Sequence, residues 1–493
     1  MSVNLAGGQR VLQSLKGFDT RRIILVVTTV LLLVLVAYPA SLLFLKSLPV
    51  DNYVEQASHP LTRQALFNTL YVAVAITILT TSVGVVMALL LTRTDLPLKR
   101  VLRGLVYLTF ITPAYLGAIA WIQLLGRSGY LNTLLKDAFN LETLPVNLYT
   151  LEGVIAIMSI YAYPLVFMAT ANALDVTDPS LEEAAVTSGA SPRRVLFTVT
   201  LPLARPGILS GAVLAFIQGI ACFGVAAAIA MPTGHFVLTT RIYAALGHYD
   251  VRMACAMSVA LVLLTAVSLF VHNGLLRGKS YTVTTSESRR HRLVSLGRWR
   301  FPIAAALLLF FAATTLLPLA TIFLTSFLKA WGLAPTPENL TLGNYAKVVT
   351  EDLASRALRN SLVFASTGAT LAALMGLIVA YISVRTRMVG RKVIDFLATM
   401  PSAIPGPVLA AAMIFAWMNP PVSLYNTPWI IVVAYVAAFL PYAVRNVAGV
   451  LEGMDPTLEE MGWMSGASWA RTMRNITVPL IGRGLWGAGF SPS

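Results

Sequence analysis

Long apolar runs separated by short polar segments make up most of this chain. A helix that crosses the hydrocarbon core of a bilayer needs about 20 consecutive, mostly apolar residues. Ten runs reach that length, and they occupy residues 23–45, 66–91, 104–125, 153–173, 207–230, 254–276, 302–328, 361–383, 394–417 and 428–449. The pattern therefore predicts an all-α polytopic membrane protein with ten complete spans.

The positively charged residues indicate the orientation of these spans, because loops rich in Lys and Arg stay in the cytoplasm. With the N-terminal segment 1–22 inside, 26 of the 36 Lys and Arg residues fall in cytoplasmic segments. The first apolar run, 23–45, is longer than the apolar core of about 7–15 residues in a cleaved signal peptide. We therefore expect a retained first helix with a cytoplasmic N-terminus.

The two halves of the chain repeat one another. Residues 68–94 resemble residues 360–386 at an offset of 292 positions. The polar segment "SLEEAAVTSGASPRRVLFTVTLPLARPG" (180–207) returns as "TLEEMGWMSGASWARTMRNITVPLIGRG" (457–484) at an offset of 277. Six predicted spans separate the two polar segments, so both face the same side of the membrane, and the halves are predicted to be parallel repeats.

These boundaries predict four parts of the chain. A cytoplasmic segment (1–22) precedes a first repeat of six spans (23–276), and a basic cytoplasmic linker (277–301) leads to a second repeat (302–493). The second repeat holds four complete spans, because an eleventh apolar run begins at Gly484 and stops with the chain. We expect a truncated or frameshifted reading frame, with the last two spans cut or missing.

The amino-acid composition argues against a soluble protein. The chain is 57% hydrophobic and 12% charged, with a mean hydropathy of +0.75, whereas soluble domains have about 25% charged residues. The net charge of +15 does not indicate nucleic-acid binding, because the basic residues lie between apolar runs. Cys222 and Cys255 have no metal-ligand spacing and are interpreted as packing residues. No cofactor or metal is expected.

Each polar segment reads as helix, turn, helix. Asp178 precedes a proline, which is the pattern of an N-cap followed by the first helical residue. Glu182 and Glu183 then lie near the positive end of that helix. Gly189 provides a break, because glycine tolerates left-handed backbone angles. A second short helix follows, and Pro202 is predicted to end it before the next span.

Two functions fit one such segment taken alone. An amphipathic loop lying on anionic lipid headgroups needs a basic and apolar face. The recurrence of the glutamates and the glycine in register favours a protein-docking element presented twice. Its partner is expected to present two equivalent sockets.

At these residues the chain resembles the permease subunits of binding-protein-dependent ABC importers. Glu183-Ala184-Ala185, Gly189 and Leu201-Pro202 follow the pattern of their cytoplasmic loop, which begins E-A-A, continues to a glycine and closes with an aliphatic residue and proline. In the second copy Glu460 and Gly466 match, whereas Met461-Gly462 replace the two alanines. The fusion of two such halves in one chain is most similar to the iron(III)-transport permeases of Gram-negative bacteria.

The resemblance implies a transport subunit of the bacterial inner membrane that performs no bond chemistry. Coupling loops at 178–206 and 455–483 would dock two copies of an ATP-binding subunit, which hydrolyse ATP, and a periplasmic binding protein would deliver substrate. The implied docking residues are Glu182, Glu183, Ala184, Ala185, Gly189, Pro202, Glu459, Glu460, Gly466 and Pro479. Of these, Glu183, Gly189, Glu460 and Gly466 are expected to matter most. Ferric iron is the expected substrate, and thiamine, phosphonate, polyamine and sulfate are the alternatives.

A different class of protein, an ion-coupled secondary carrier, stays open as a second hypothesis. Such carriers often place acidic or histidine residues inside the membrane, and the central portions of these spans carry no charge. The polar candidates for a substrate pathway are Tyr161, Tyr163 and Gln218. Pro113 and Pro405 are expected to kink their spans.

Overall fold

The computed structural model describes residues 23–276, 293–418 and 422–482 of the chain. Four predicted features lie wholly or partly outside these residues. They are the N-terminal segment 1–22, residues 277–292 of the linker, residue 483 at the end of the second loop and the eleventh apolar run that begins at Gly484. Within the described residues, all repeating secondary structure is helical, and two isolated β-bridges link Thr94 with Val294 and Leu328 with Leu340.

The described helices are numbered here in chain order. They are α1 (Ile23–Ser47), α2 (Asp51–Ser58), α3 (Pro60–Arg93), α4 (Lys99–Ile111), α5 (Ala114–Leu125), α6 (Tyr130–Ala138), α7 (Leu151–Asp175), α8 (Pro179–Thr187), α9 (Pro192–Ile220), α10 (Gly224–Ile229), α11 (Leu238–Gly247), α12 (Val251–Leu276), α13 (Gly297–Ser326), α14 (Gly343–Thr350), α15 (Asp352–Arg385), α16 (Arg391–Thr399), α17 (Gly406–Trp417), α18 (Pro428–Gly453), α19 (Thr457–Met464) and α20, which starts at Trp469–Thr472 and stays helical to residue 482.

The chain forms two compact units. Unit I contains the described residues between 47 and 355, and unit II contains the described residues before 47 together with those after 355. Helix α1 opens the first repeat but belongs to unit II, whereas α13 opens the second repeat but belongs to unit I. Each unit therefore combines the opening helix of one repeat with later helices of the other.

The spans agree with the prediction in number only when two of them are counted as broken helices. Eight described helices are long and apolar enough to cross a membrane. The predicted spans 104–125 and 394–417 are instead bent pairs, with angles of 96° between the segments that flank Pro113 and 114° between those that flank Pro405. A proline disfavours helical angles in the residue before it, and Thr112 and Ile404 are indeed extended. The predicted kinks at these prolines are full breaks.

Four of the described helical runs contain a π-helical turn that ends two residues before a proline. These turns and prolines are Leu33–Ala37 with Pro39, Leu196–Thr200 with Pro202, Ala312–Leu316 with Pro318, and Met473–Thr477 with Pro479. Proline removes a backbone donor and crowds the preceding turn, and the wider π turn accommodates this inside a continuous helix. The prediction that Pro202 ends a short helix is therefore wrong, because α9 runs through it.

The centre of unit I is made by α3, α7 and α9, which approach one another at glycines. A Cβ atom built on Gly84 of α3 would lie 2.7 Å from the Cβ of Val166 in α7, and one on Gly211 of α9 would lie 2.7 Å from the Cα of Val166. In unit II, Gly376 of α15 approaches Ala443 of α18 in the same way. Small residues allow this close packing of helix backbones in a membrane protein.

Candidate functional site

The first polar segment folds locally as its sequence predicts. The Asp178 carboxylate accepts the backbone N–H of Ser180 at 2.9 Å and so caps α8. At the other end, Gly189 has a φ of +84°, and the N–H of Ala190 donates to the carbonyl of Ala185 at 3.0 Å. This left-handed glycine ends the helix while satisfying one of its last carbonyls, and the chain then enters α9.

The second polar segment has the same backbone despite its different residues. The Asp455 carboxylate accepts the N–H of Thr457 at 3.0 Å, and Gly466 has a φ of +78°. The N–H of Ala467 donates to the carbonyl of Gly462 at 3.1 Å. The bond from Thr457 lowers the pKa of Asp455. The replacement of two alanines by Met461 and Gly462 therefore leaves the helix–turn–helix unchanged.

The two adjacent glutamates of each segment differ in exposure. Glu183 and Glu460 are exposed, whereas the side chains of Glu182 and Glu459 are only 14% and 3% exposed. Neighbouring residues on a helix point about 100° apart, since the helix has about 3.6 residues per turn. Only the second glutamate of each pair is available on the surface of the loop.

Each buried glutamate meets an arginine from the last turn of a long apolar helix. The Arg93 Nε lies 3.3 Å from the Glu182 Oε1, which also accepts a hydrogen bond from the Thr200 hydroxyl at 2.9 Å. The Arg93 Nη2 donates to the Leu174 carbonyl, the penultimate residue of α7, at 2.7 Å. Arg93 therefore joins α3, the end of α7 and α8 at one point.

Unit II contains the same arrangement. The Arg385 Nε lies 3.8 Å from the Glu459 Oε1, which accepts a hydrogen bond from the Thr477 hydroxyl at 2.9 Å. The Arg385 Nη2 donates to the Met454 carbonyl at 2.8 Å. Sequence reasoning missed both arginines, although each stands in the dipeptide Arg-Thr that closes the repeated stretches 68–94 and 360–386.

The other predicted docking residues are distributed over the surface of the loops. Ala184, Gly189, Pro202, Gly466 and Pro479 are exposed, and Ala185 is half-buried. Exposed apolar side chains accompany them, at Leu181 and Val186 in the first loop and at Leu458, Met461 and Met464 in the second. Met464 is 88% exposed. A surface that combines exposed apolar side chains with a carboxylate is typical of a protein-binding site.

A cavity of about 690 Å³ lies beside the first loop. Its apolar lining includes Val86 and Leu90 of α3 and Val186 of α8, and its charged lining includes Arg93 and Glu182. Apolar residues of α3 and α8 thus face a common space. The Arg93–Glu182 ion pair crosses between these two helices beside it.

The end of the basic linker is fixed next to the same loop. The N–H of Val294 donates to the Arg93 carbonyl at 2.8 Å, and the N–H of Asp95 donates to the Val294 carbonyl at 3.1 Å. The Asp95 carboxylate accepts the N–H of Leu296 at 2.8 Å and the hydroxyl of Ser295 at 3.0 Å. The bond from Leu296 lowers the pKa of Asp95.

The three pathway candidates occupy different environments. Tyr161 packs over Gly117 in one apolar cluster, and Tyr163 lies in another with its ring edge-to-face against Phe310 at 6.0 Å. Gln218 is exposed on α9. Tyr161 and Tyr163 are thus buried in these cores, whereas Gln218 offers its amide at a surface.

Within the described residues, no group of three or more His, Cys, Asp or Glu side chains is arranged to hold a metal ion. Cys222 and Cys255 are buried. In the described part of the chain, the ion pairs Arg93–Glu182 and Arg385–Glu459 involve the two loops.

The repeated loops and the glycine-packed helices on which they stand define the class of protein. The family model described as "Binding-protein-dependent transport system inner membrane component" matches residues 80–278 and 368–485, and each match contains one loop. The chain belongs to this family and is a multi-pass protein of the inner membrane.

Among curated relatives, two ferric permeases align with most of the chain. The "Putative ferric transport system permease protein FbpB 1" of Haemophilus influenzae is 29% identical over 85% of this chain and 66% of its own length. The "Ferric transport system permease protein FbpB" of Actinobacillus pleuropneumoniae is also 29% identical, over 85% of this chain and 61% of its own length. The chain thus spans somewhat less than two thirds of these relatives.

A third relative has a different named substrate. The "Molybdenum transport system permease protein ModB" of Escherichia coli K12 is 34% identical over 141 residues, which are 29% of this chain and 60% of that protein. Higher local identity thus accompanies the molybdenum permease and wider coverage accompanies the ferric permeases.

Proposed function

We propose that the chain is the permease of an ABC importer and that its two loops, 178–206 and 455–483, are coupling loops that dock two copies of an ATP-binding subunit. The observation that carries the proposal is the shared helix–turn–helix backbone of the two loops, each with one exposed glutamate at the same position, in regions that match the family. ATP hydrolysis belongs to the partner subunits. A periplasmic binding protein delivers substrate to the face opposite the loops, and the N-terminus is cytoplasmic.

The docking surface consists of the exposed groups of each loop. Glu183 and Glu460 supply a carboxylate that a basic group of the partner would pair with, and Leu181, Val186 and Met464 supply apolar contact area. An interface of this composition gains most of its free energy from buried apolar groups and takes its register from the charged pair. The family membership leaves no reason to retain the ion-coupled carrier.

Ferric iron is the proposed substrate, because three of the relatives that align with most of the chain are named as ferric permeases. A further relative that aligns with 92% of the chain carries no substrate in its name. The chain would bind iron weakly or transiently, since recognition would reside in the binding protein. Thiamine, phosphonate, polyamine and sulfate stay as alternatives, and molybdate joins them through the third relative. Gln218 is the proposed polar group of the pathway.

Co-purification with a co-expressed candidate ATP-binding subunit tests the docking proposal. Glu183→Lys and Glu460→Lys reverse the exposed charge in each loop, and the double variant is expected to lose at least 10-fold in the amount of ATP-binding subunit retained. Glu142→Lys makes the same change at another exposed position outside the loops and is expected to behave as wild type. Full retention by the double variant would overturn the docking assignment.

Uptake by proteoliposomes tests the substrate. The chain, the ATP-binding subunit and a ferric-binding protein are reconstituted together, and ATP-dependent uptake of radioactive iron is measured against molybdate and sulfate presented by their own binding proteins. Iron uptake alone supports the ferric proposal. Uptake of molybdate or sulfate without iron would replace it.

A further inference from the structure

The ion pair in each loop is much less exposed to water than a surface salt bridge. The side chains of Arg93 and Glu182 are 6% and 14% exposed. Those of Arg385 and Glu459 are 11% and 3% exposed. Surface pairs contribute little because water screens them and their side chains move freely. Burial removes both effects, and the planar guanidinium can hold several acceptors in fixed directions.

The pair connects elements that are otherwise separated beside the cavity. Val86 and Leu90 of α3 line the same 690 Å³ space as Val186 of α8. The apolar faces of α3 and α8 are therefore separated by this cavity and do not pack against each other there. Arg93 and Glu182 provide a direct connection from the membrane helix α3 to the loop helix α8.

The connection extends to the following membrane helix. The Thr200 hydroxyl donates to Glu182 from the π turn of α9, and Arg93 also holds the Leu174 carbonyl at the end of α7. Helices α3, α7 and α9 are the three that pack through glycines at the centre of unit I. Arg93, Glu182 and Thr200 therefore connect α8 to all three helices of this glycine-packed group.

The same connection recurs in unit II although the two repeats differ in length. Arg385 corresponds to Arg93 at an offset of 292, whereas Glu459 and Thr477 correspond to Glu182 and Thr200 at an offset of 277. The residues between the arginine and the glutamate have therefore changed in number while the three-residue contact persists. Its presence in both repeats identifies it as a feature of the loop itself.

We propose that Arg93–Glu182–Thr200 and Arg385–Glu459–Thr477 are positioning residues that fasten each coupling helix to its membrane helices and so convert movement of the loop into movement of the transport pathway. The proposal rests on the proposed coupling function of the loops. It assigns different roles to the two adjacent glutamates of each loop. The exposed Glu183 and Glu460 contact the ATP-binding subunit, and the buried Glu182 and Glu459 contact only this chain.

The test separates ATP hydrolysis from transport in the reconstituted complex of the full chain, the ATP-binding subunit and the ferric-binding protein. Glu182→Gln with Glu459→Gln removes the two buried negative charges at nearly constant size and leaves both arginines in place. We expect this double variant to retain the ATP-binding subunit and to hydrolyse ATP within about twofold of wild type, while the iron transported per ATP falls at least 10-fold. Glu142→Gln is the matched control and is expected to keep the wild-type ratio.

A milder pair of variants covers the case in which the glutamine variant does not fold. Thr200→Val and Thr477→Val are isosteric and remove only the hydroxyl that supports each glutamate. Their transport per ATP is expected to fall about threefold, with unchanged retention of the ATP-binding subunit. A merely structural role would lower hydrolysis and transport in parallel and leave their ratio unchanged, and that result would overturn the proposal.

The outcome is distinguishable from failure of the docking proposal. If Glu183→Lys and Glu460→Lys leave the retention of the ATP-binding subunit unchanged, the loops are not docking elements and the fastening role loses its basis. If those variants lose the subunit but Glu182→Gln with Glu459→Gln transports at the wild-type ratio, docking stands and the fastening role is wrong.

Discussion

Replacement of Gly84 by valine tests the close packing of α3 against α7, the helices that the first loop contacts. A Cβ atom at this position would lie 2.7 Å from the Cβ of Val166, 2.9 Å from the backbone N of Phe167 and 3.0 Å from the carbonyl O of Tyr163. Two of these three atoms belong to the backbone of α7, so a change of rotamer cannot relieve the contact. Helix α3 or α7 must shift.

The magnitude follows from two opposing effects. Overpacking of a close interface costs about 1–3 kcal/mol, and three added heavy atoms against backbone place Gly84→Val toward the upper end. Valine is a better helix former than glycine by about 0.5 kcal/mol. We therefore expect a net loss of about 2 kcal/mol in the free energy of unfolding. Gly104→Val is the matched control, because a Cβ there meets nothing within 4 Å, and it should gain about 0.5 kcal/mol.

The assay is reversible unfolding of the purified chain in maltoside micelles titrated with dodecyl sulfate and followed by helical circular dichroism. Gly376→Val gives an independent measurement in unit II, because a Cβ there would lie 2.6 Å from the Cβ and 3.0 Å from the carbonyl C of Ala443. Equal stability of the Gly84 and Gly104 variants would refute the close approach of α3 and α7.

Two further predictions concern the ends of the first loop and of the linker. Gly189→Ala places an L side chain at a φ of +84°, which costs about 1 kcal/mol; amide hydrogen exchange at residues 186–190 should accelerate about fivefold, whereas Gly247→Ala should leave its surroundings unchanged. The hydrogen bond from the N–H of Leu296 lowers the pKa of Asp95 in the folded chain. The carboxylate therefore stabilises the linker end fully at pH values above its unfolded pKa. This stabilisation is lost as the pH falls through the lower, folded pKa. Protection of the Leu296 amide should therefore persist at pH 7 and fall on acidification below about pH 4, and Asp95→Asn should show reduced protection with no such pH dependence. Unchanged exchange in Gly189→Ala, or wild-type behaviour of Asp95→Asn across the pH range, would contradict these two predictions.

Local features of the site were predictable from the sequence because they depend on neighbouring residues. Asp178 caps α8 through an amide two residues away, and the left-handed glycines Gly189 and Gly466 end their helices without help from distant groups. The apolar runs likewise predicted the spans, since a long helix in lipid needs only its own hydrogen bonds and an apolar surface.

Tertiary structure decided which glutamate of each pair is buried. Glu182 and Glu183 are equivalent by residue type, and the partner that distinguishes them, Arg93, comes from a different helix far away in the sequence. Removing a carboxylate from water costs free energy, and this desolvation cost is offset only where a charged partner and further hydrogen bonds are in place. The sequence around Glu182 shows neither the partner nor the hydrogen bonds. The repeated Arg-Thr dipeptide was a signal, but its meaning required the contact.

The sequence by itself determined the class of protein, the number of apolar segments and the two loops, because hydropathy, repetition and backbone preference are local properties. Only the tertiary structure decided that Pro113 breaks its span while Pro202 lies within a continuous helix. It also decided that α1 and α13 each join the unit built mainly from the other repeat. These outcomes depend on packing between distant segments, where the same proline or apolar face has more than one stable solution.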